Sequence, residues 1–177
     1  MLLNKMQEIY IELIGKVIKN KSKLEKALDV KITNKGKLVF VDGPAEVEYI
    51  ALKVLEAINL DFSIDTALLL KEENIEFHKI NIKDITKRHD LERVRARIIG
   101  TKGKALKTLQ TLTQCNISLH DNQVGIIGDC EEIEDAVQAI TSLIQGSKHG
   151  NVYAHAEKRR KEKRLEDKNL NIKNELK

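Results

Sequence analysis

The fold is decided by a seven-residue stretch at positions 98–104, Ile98-Ile99-Gly100-Thr101-Lys102-Gly103-Lys104. This stretch is typical of a helix end, a tight turn with glycine at both corners, and the start of a second helix. Glycine has no side chain, so the backbone at these corners can bend sharply and a phosphate can approach it closely. Lys102 and Lys104 would neutralise that phosphate. A loop of this kind beside two isoleucines suits single-stranded nucleic acid.

Composition sets the limits of the fold and the function. The 177 residues are enough for one large domain or two small ones, and 41% hydrophobic residues allow a core to form. Only 3% are aromatic, with no Trp, so stacking on aromatic side chains is not expected to be the main mode of recognition. Neither a membrane-spanning run nor a signal-peptide pattern is present, so we expect a cytoplasmic protein without a membrane partner. Cys115 and Cys130 are expected to be reduced thiols without chemistry.

Charge is segregated along the chain, although the net charge is only +4. Residues 87–107 contain eight Lys and Arg and two acidic residues, whereas residues 108–147 contain six acidic residues and no Lys or Arg. A solvated surface usually mixes charges of both signs. The segregation therefore predicts a basic face that binds a polyanion and an acidic face directed away from it.

The same layout occurs once before, which indicates an internal duplication. Residues 16–37 contain eight Lys and two acidic residues, and residues 38–84 contain ten acidic residues and four Lys. A hydrophobic pattern also repeats after roughly 80 residues, because Val41-Asp42-Gly43 matches Ile126-Ile127-Gly128. Two similar domains are therefore expected.

Each half has the hydrophobic periodicity of a strand, two helices, a hairpin and a third helix. In the first half, the predicted elements are a strand over 2–9, helices over 11–18 and 21–28, strands over 30–33 and 38–41, and a helix with Pro44 in its first turn. In the second half, they are a strand over 75–82, helices over 90–99 and 104–113, strands over 117–119 and 124–127, and a helix over 130–145. Residues 64–72 form a predicted linking helix.

The predicted fold class is α+β, with two tandem β-α-α-β-β-α domains followed by a C-terminal helix and tail. We place the domains at residues 1–72 and 73–155 and a basic tail at 156–177. Residues 157–177 carry nine Lys and Arg against five acidic residues, and roughly the last dozen have the low apolar content that is typical of disorder. The run Lys158-Arg159-Arg160-Lys161 fits either an RNA-binding arm or a solubilising tail.

The second half resembles a type I KH domain. Residues 98–106, Ile98-Ile99-Gly100-Thr101-Lys102-Gly103-Lys104-Ala105-Leu106, are similar to the KH signature of two aliphatic residues, a G-x-x-G loop and a third aliphatic residue. The wider pattern resembles the archaeal tandem-KH ribosome-assembly family, the counterpart of the eukaryotic KH factor that partners the endonuclease maturing the 3′ end of small-subunit rRNA. The segments that carry this resemblance are Arg95-Ala96-Arg97, Val124-Gly125-Ile126-Ile127-Gly128-Asp129 and Gly146-Ser147-Lys148-His149-Gly150-Asn151-Val152-Tyr153.

This resemblance implies a function in ribosome assembly and pre-rRNA processing. The second domain would bind small-subunit (16S) rRNA near its 3′ end. The resemblance also implies association with the rRNA 3′-end endonuclease and, as a further candidate, with a translation initiation factor subunit. The alternative is a protein-interaction scaffold in ribosome assembly or translation initiation that makes no direct RNA contact.

The first half departs from the KH pattern at its loop. Aligning Ile18 with Ile99 places Lys19-Asn20-Lys21-Ser22 where the glycines should be. The loop is still basic, but both glycine corners are missing, so close approach of the backbone to phosphate is not expected. We expect a degenerate KH domain that supports the second domain, packs against a protein, or touches RNA only through exposed lysines.

The candidate RNA-binding residues surround the glycine turn. Thr101 and Lys102 would face phosphate, and Lys104 and Lys107 lie three apart on one helical face, from which they could follow the nucleic-acid backbone. Three arginines alternate over residues 93–97, so two of the three are expected to face RNA. The full set is Arg93, Arg95, Arg97, Ile98, Ile99, Gly100, Thr101, Lys102, Gly103, Lys104 and Lys107.

Some of these positions have a second interpretation. Ile98, Ile99 and Leu106 fit either the wall of a base-binding groove or the hydrophobic core. The turn itself could be a plain connector between two helices.

No catalytic, cofactor or metal site is predicted, and the chain is not expected to be an enzyme. His149 and His155 lack a Cys or acidic ligand at a suitable spacing. No Ser/His/Asp or Cys/His constellation is present. A metal-dependent nuclease, the remaining enzymatic alternative, would need carboxylates on the basic face, whereas the acidic residues at 131–135 lie on a different helix.

Overall fold

The computed structural model describes residues 7–87 and 89–175 of the chain. These residues form two units that share one order of elements. Each unit is built on a three-stranded antiparallel sheet in which the last strand in sequence is the middle one.

The first unit has the strand order β1-β3-β2. Its elements are β1 (Gln7–Tyr10), α1 (Ile14–Lys19), α2 (Lys21–Leu28), β2 (Lys31–Lys35), β3 (Leu38–Asp42) and α3 (Ala45–Asn59). The side-chain oxygen of Asn59 accepts hydrogen bonds from the amides of Glu12 and Leu13, at 2.7 and 3.2 Å. These bonds hold the residues after β1 in a loop, so α1 begins at Ile14 and not at the predicted residue 11. Pro44 is the N-cap of α3 and lies just before its first turn.

A short helical connection joins the two units. Helix α4 (Ile64–Leu68) continues as a 3-10 turn (Leu69–Lys71). The hydroxyl of Ser63 accepts a hydrogen bond from the amide of Thr66 at 3.1 Å and so caps α4. The predicted linking helix is therefore present in two pieces.

The second unit has the strand order β4-β6-β5. Its elements are β4 (Ile75–Asn81), α5 (Ile82–Ile85), α6 (Leu91–Ile99), a 3-10 turn (Thr101–Gly103), α7 (Lys104–Thr113), β5 (Asn116–His120), β6 (Gln123–Asp129), α8 (Ile133–Gln145) and α9 (His149–Glu175). The carboxylate of Asp129 accepts a hydrogen bond from the amide of Glu131 at 2.9 Å. This turn delays the start of α8 to Ile133, three residues after the predicted start.

The predicted α+β fold class is confirmed, and helices α2 and α7 have the predicted bounds. Residues 2–6 of the first predicted strand lie outside the described residues. The C-terminal segment differs from the predicted tail, because α9 continues to Glu175 and crosses the boundary placed between residues 155 and 156. The domain boundaries themselves stay predictions. No described helix has the length and apolarity to span a bilayer.

Each unit has its own hydrophobic core. In the first, Ile32, Val39 and Val41 of the sheet pack beneath α1–α3. In the second, Val124 and Ile126 of the sheet pack beneath α6–α8. The helical residues that cover them are Leu24, Val54, Leu55 and Ile58 in the first unit and Val94, Ile98, Leu109 and Ile140 in the second.

The opposite face of the second sheet packs against the first unit. Ile127 is fully buried in the core of the first unit, and a Cβ at Gly125 would lie 2.6 Å from the ring of Phe62. Phe62 also meets Phe77 of β4 edge to face, with centroids 6.4 Å apart. The second sheet is therefore covered on both faces, by its own helices and by the end of the first unit.

Candidate nucleic-acid interface

Helix α6 leads into the glycine turn. The carboxylate of Asp90 accepts a hydrogen bond from the amide of Arg93 at 3.0 Å, so Asp90 caps the helix. The helix ends at Gly100, whose φ is +71°. A Cβ at Gly100 would lie 2.5 Å from the Cβ of Ala105. Both the backbone angle and the lack of space therefore require glycine at this corner.

The two residues between the glycines lie in a tight turn. Residues 101–103 form a single 3-10 turn in which Lys102 has φ 53° and Gly103 has φ 73°. In the described part of the chain, no acceptor receives a hydrogen bond from the amides of Thr101 and Lys102, and both residues are exposed. Free amides beside the first turn of α7, the positive end of its dipole, form a site suited to an anion.

Three lysines surround this turn without carboxylate partners. Lys102, Lys104 and Lys107 are exposed, and none of them forms an ion pair with another described residue. Their charge is therefore available to a ligand. The structure thus brings together free amides and unpaired cations at one place, which is the arrangement that phosphate binding needs.

The two isoleucines before the turn have different environments. Ile98 is 0% exposed and belongs to the core of the second unit, so its side chain supports the turn and does not face a ligand. This corrects its assignment as a contact residue. Ile99 is 38% exposed and remains available to line a groove. Leu106 is half-buried against the same core.

The three arginines of α6 lie in different surroundings. Arg95 is half-buried, and its guanidinium donates a hydrogen bond to the side-chain oxygen of Asn122, at the tip of the β5–β6 hairpin, at 3.4 Å. Arg93 is exposed and lies with His89 and Arg97 along one cavity of about 380 Å³. Arg97 donates to the carbonyl of Ser147 in the turn before α9. The arginines therefore do not form one continuous surface with the lysines.

Helix α7 is tied to strand β5. The side-chain amide of Gln110 on α7 donates a hydrogen bond to the carbonyl of Ile117 at 2.8 Å. Ser118 and Leu119 are half-buried beyond this point. We refer to the surface that carries Ile99, the glycine turn and the exposed Lys104 and Lys107 as the groove.

The corresponding loop of the first unit has a different backbone. Helices α1 and α2 meet at Asn20, whose φ is −114° and whose side chain donates to the carbonyl of Lys16 at 2.9 Å. No residue of this loop has a positive φ. The glycine turn of the second unit is therefore not repeated here.

The acidic start of α8 holds helix α9. Asp135 pairs with Arg159 at 3.1 Å and with Lys163 at 2.8 Å, and Lys163 also lies 3.3 Å from Glu132. Burial opposes ionisation of Asp135, but the hydrogen bonds and charges of the two cations outweigh it and hold its pKa below the usual range. The predicted acidic face is thus partly neutralised by α9, and of the run at 158–161, Arg159 serves to attach this helix.

Two other groups of polar residues were not indicated by the sequence. The ring nitrogen Nε2 of His120 lies 3.9 Å from carboxylate oxygens of Glu12 and Asp121, and these ligand atoms lie within 4.8 Å of one another. Glu12 and His120 are too far apart in sequence for a motif to reveal the group. A cavity of about 610 Å³ lies beside the start of α8, and the negative charge of Asp129, Glu131 and Glu132 in its lining disfavours RNA.

Comparison with known proteins identifies the family. Residues 76–161 match the family model for the second KH domain of PNO1, described as a eukaryotic-type KH domain (KH-domain type I). The structure is also similar to the crystal structure of Dim2p from Pyrococcus horikoshii OT3, with a TM-score of 0.80 and 30% identity, over 88% of this chain and 99% of that one. The chain belongs to the PNO1/Dim2 family of KH-domain proteins.

Two further members of the PNO1/Dim2 family are similar to this chain. One is aDim2p in the crystal structure of its complex with a/eIF2alpha and rRNA from Pyrococcus horikoshii OT3, with a TM-score of 0.82 and 31% identity over 91% of this chain and 97% of that one. The other is the pre-rRNA-processing protein PNO1 of Eremothecium gossypii, 33% identical over 104 residues, which are 57% of this chain and 39% of that protein. The chain thus spans about two fifths of the length of this PNO1.

The match to the PNO1 family model covers only the second unit and part of α9. It begins within β4 and ends at residue 161, so it includes the part of α9 that carries Arg159. It does not include the first unit, whose loop lacks the glycine corners. The match therefore extends six residues past residue 155, where the second domain is predicted to end.

Proposed function

We propose that this chain is a non-catalytic RNA-binding factor in ribosome assembly and pre-rRNA processing. Its second unit would bind an unpaired stretch of small-subunit rRNA near the 3′ end. The observation that carries the proposal is the turn at residues 100–103, where two free amides and an unpaired lysine are exposed together.

The size of the groove is consistent with a short single-stranded ligand. KH loops clamp about four backbone nucleotides, and sequence-specific recognition of RNA takes place on unpaired bases. The free amides would hold one phosphate, Lys104 and Lys107 the next phosphates along α7, and Ile99 would contact a base. Double-stranded RNA would keep its bases paired and would not present them to Ile99.

The named relatives support the same function. The Eremothecium protein is a pre-rRNA-processing protein, and the Pyrococcus protein is found in a complex with rRNA. That complex also contains a/eIF2alpha, which supports a translation initiation factor subunit as a partner. The rRNA 3′-end endonuclease is a second proposed partner, and the cytoplasm is the proposed location.

The distribution of carboxylates supports a non-catalytic role. A metal-dependent nuclease needs carboxylates beside the bound phosphate. The acidic residue nearest to the turn in sequence is Glu92. At the start of α8, Glu132 and Asp135 are paired with Lys163 of α9. The bound RNA would therefore be held without being cleaved.

A scaffold without RNA contact is the second candidate, and the first unit favours it. Its loop at Asn20 has no glycine corner and no positive φ, so it offers no phosphate-binding turn. Under this alternative both units would bind proteins alone.

The test is binding of a fluorescently labelled RNA of about 12 nucleotides from the 3′ end of small-subunit rRNA, followed by gel shift. The double variant Thr101→Asp, Lys102→Asp should abolish binding, because it places two negative charges where the phosphate lies. The matched control is Asn20→Asp, Lys21→Asp in the first unit, which should bind nearly as well as the wild type. Circular dichroism melting should show that both variants are folded.

Other outcomes would reject the proposal. Unchanged affinity of the Thr101→Asp, Lys102→Asp variant would show that the turn is not the RNA site, and absence of binding by the wild type would favour the scaffold. Incubation of the same RNA with Mg²⁺ should leave it intact, and cleavage that co-purifies with the protein would establish a nuclease.

A further inference from the structure

The outer face of the first sheet is open to solvent. Ile32, Val39 and Val41 are buried on the inner face, so the alternate residues of the three strands point outward. On this outer face, Tyr10 is 58% exposed, and Leu38 is 38% exposed. The equivalent face of the second sheet is covered by the first unit. Among the described residues, the outer face of the first sheet therefore lacks the cover that its duplicate has.

The register places two aromatic rings on neighbouring strands of this face. Tyr10 of β1 lies opposite Leu38 of β3, and Glu8 of β1 lies opposite Phe40 of β3. Tyr10 and Phe40 are therefore diagonal neighbours, a separation that rings of this size can bridge. Phe40 is half-buried, which fixes its position in the sheet.

Lysines border the same face. Lys37 places its ammonium group 5.8 Å from the centre of the Tyr10 ring, and Lys31 and Lys35 lie on the exposed edge strand β2. None of the three forms an ion pair with another described residue, whereas Lys16 and Lys23 of the preceding helices are paired with Asp61 and Asp65. Two carboxylates, Glu8 and Asp42, share the face, so its net charge is positive.

The end of β1 lies close to the β5–β6 hairpin of the second unit. Two residues after Tyr10, the carboxylate of Glu12 lies 3.9 Å from His120 at the end of β5. The same hairpin contains Asn122, whose side-chain oxygen accepts the hydrogen bond from Arg95 on α6. The hairpin tip therefore lies between α6 and the residues that follow β1.

We propose that this outer face is a second RNA-binding site, on which Tyr10 and Phe40 stack unpaired bases while Lys31, Lys35 and Lys37 neutralise the flanking phosphates. Stacking of bases on aromatic side chains of a sheet, bordered by cations, is a general mode of single-strand binding. The proposal rests on the proposed function, because the site takes the same strand after it leaves the groove at the hairpin tip.

The experiment compares two RNAs from the 3′ end of small-subunit rRNA, of about 4 and about 12 nucleotides. Tyr10→Ala should weaken binding of the longer RNA by about 5- to 30-fold and leave the shorter one unchanged. Tyr10→Phe, which keeps the ring, should bind both RNAs as the wild type does. Tyr49→Ala is the matched control, because Tyr49 is 60% exposed and also lies beneath a lysine, Lys53 at 4.5 Å, but on helix α3.

A direct reporter uses the absence of tryptophan from the chain. In Tyr10→Trp, the longer RNA should quench the fluorescence of the new indole and the shorter RNA should not, because only the longer strand reaches the sheet.

The outcomes separate this site from the groove. If Tyr10→Ala binds the longer RNA as the wild type does, while Thr101→Asp, Lys102→Asp loses it, the sheet site is refuted and the groove stands. If the wild type binds neither RNA, the proposed function fails and this site fails with it. Loss of a protein partner by Tyr10→Ala with unchanged RNA affinity would assign the face to protein and also overturn the proposal.

Discussion

The backbone carbonyl of Arg97 accepts a hydrogen bond from the imidazole of His149 at 2.9 Å, and the guanidinium of Arg97 donates to the carbonyl of Ser147. The last turn of α6 is therefore bound to the turn that begins α9. Arg97 was assigned to RNA binding from the sequence, but its observed contacts are with the protein.

The attachment of α6 to the start of α9 should depend on Arg97. Arg97→Ala should increase hydrogen exchange of the amides at the start of α9 and lower the stability of the second unit by about 1 kcal/mol, because it removes a hydrogen bond from a charged donor. Arg93→Ala, in the same helix but exposed and without an ion pair among described residues, is the control and should leave α9 protected. RNA affinity that falls more for Arg97→Ala than for Lys102→Ala would contradict this assignment.

The two glycines of the turn should respond differently to alanine. Gly100→Ala should distort the turn and lose RNA binding, since its Cβ would lie 2.5 Å from that of Ala105. Gly103→Ala meets open space and bears only the strain of a positive φ, about 1 kcal/mol. Fluorescence anisotropy and thermal melting of both variants test this, and equal effects would show that space around Gly100 is not limiting.

The salt dependence of RNA affinity should indicate how many phosphates the turn contacts. Each contact with a single strand contributes about −0.7 to the slope of log affinity against log salt. Lys102→Ala should therefore make the slope shallower by about 0.7, whereas Lys26→Ala, an exposed lysine of α2, should leave it unchanged. A slope unaffected by Lys102→Ala would mean that this lysine touches no phosphate.

Attachment of α9 to α8 should depend on pH. The pKa of Asp135 in the folded protein lies below its ordinary value of 3.8, because Lys163 and Arg159 outweigh the effect of burial. Because the pKa of Asp135 is lowered on folding, its pairing with Lys163 and Arg159 contributes fully to stability above about pH 4. This contribution to stability is lost as the pH falls through the pKa of Asp135 in the folded protein.

Asp135→Ala should reproduce the acid behaviour at neutral pH. We expect faster hydrogen exchange in α9 and a loss of about 1–2 kcal/mol, reduced by the partial exposure of Arg159. Lys158→Ala is the control, because Lys158 lies on the solvent side of α9 and its nearest carboxylate is Glu162 at 3.9 Å. Unchanged protection of α9 in Asp135→Ala would contradict the role of the pair.

The two cysteines should differ in reactivity. Cys115 is buried against Gly128, and desolvation raises the pKa of its thiol to about 11. Cys130 is exposed. A thiol reagent at neutral pH should therefore modify Cys130 in the native protein and reach Cys115 only on unfolding. Two thiols that react equally fast would show that the core of the second unit opens readily.

Local signals in the sequence were sufficient for most of the fold. Helix α7 could be bounded because it follows the glycine turn directly and carries Leu106, Leu109 and Leu112 at helical spacing. The duplication then predicted the same order of strands and helices in both units. The glycine turn was found because its chemistry lies within four consecutive residues.

The features that the sequence did not predict depend on contacts between distant residues. The partners of Arg97 lie about fifty positions away, beyond the range of any helical pattern. Helix α9 has no apolar stripe along its charged second half, so composition favoured a tail. Part of what holds α9 is the pairing of Asp135 with Arg159 and Lys163, which only the packing of α8 against α9 reveals.

The central claim is that the amides of Thr101 and Lys102 hold a phosphate of unpaired RNA. The most direct measurement is an amide NMR titration of ¹⁵N-labelled protein with the RNA of about 12 nucleotides from the 3′ end of small-subunit rRNA. The amides of Thr101, Lys102 and Gly103 should show the largest shift changes, and these should disappear in Gly100→Ala. Saturable binding that leaves these three amides unchanged would contradict the claim.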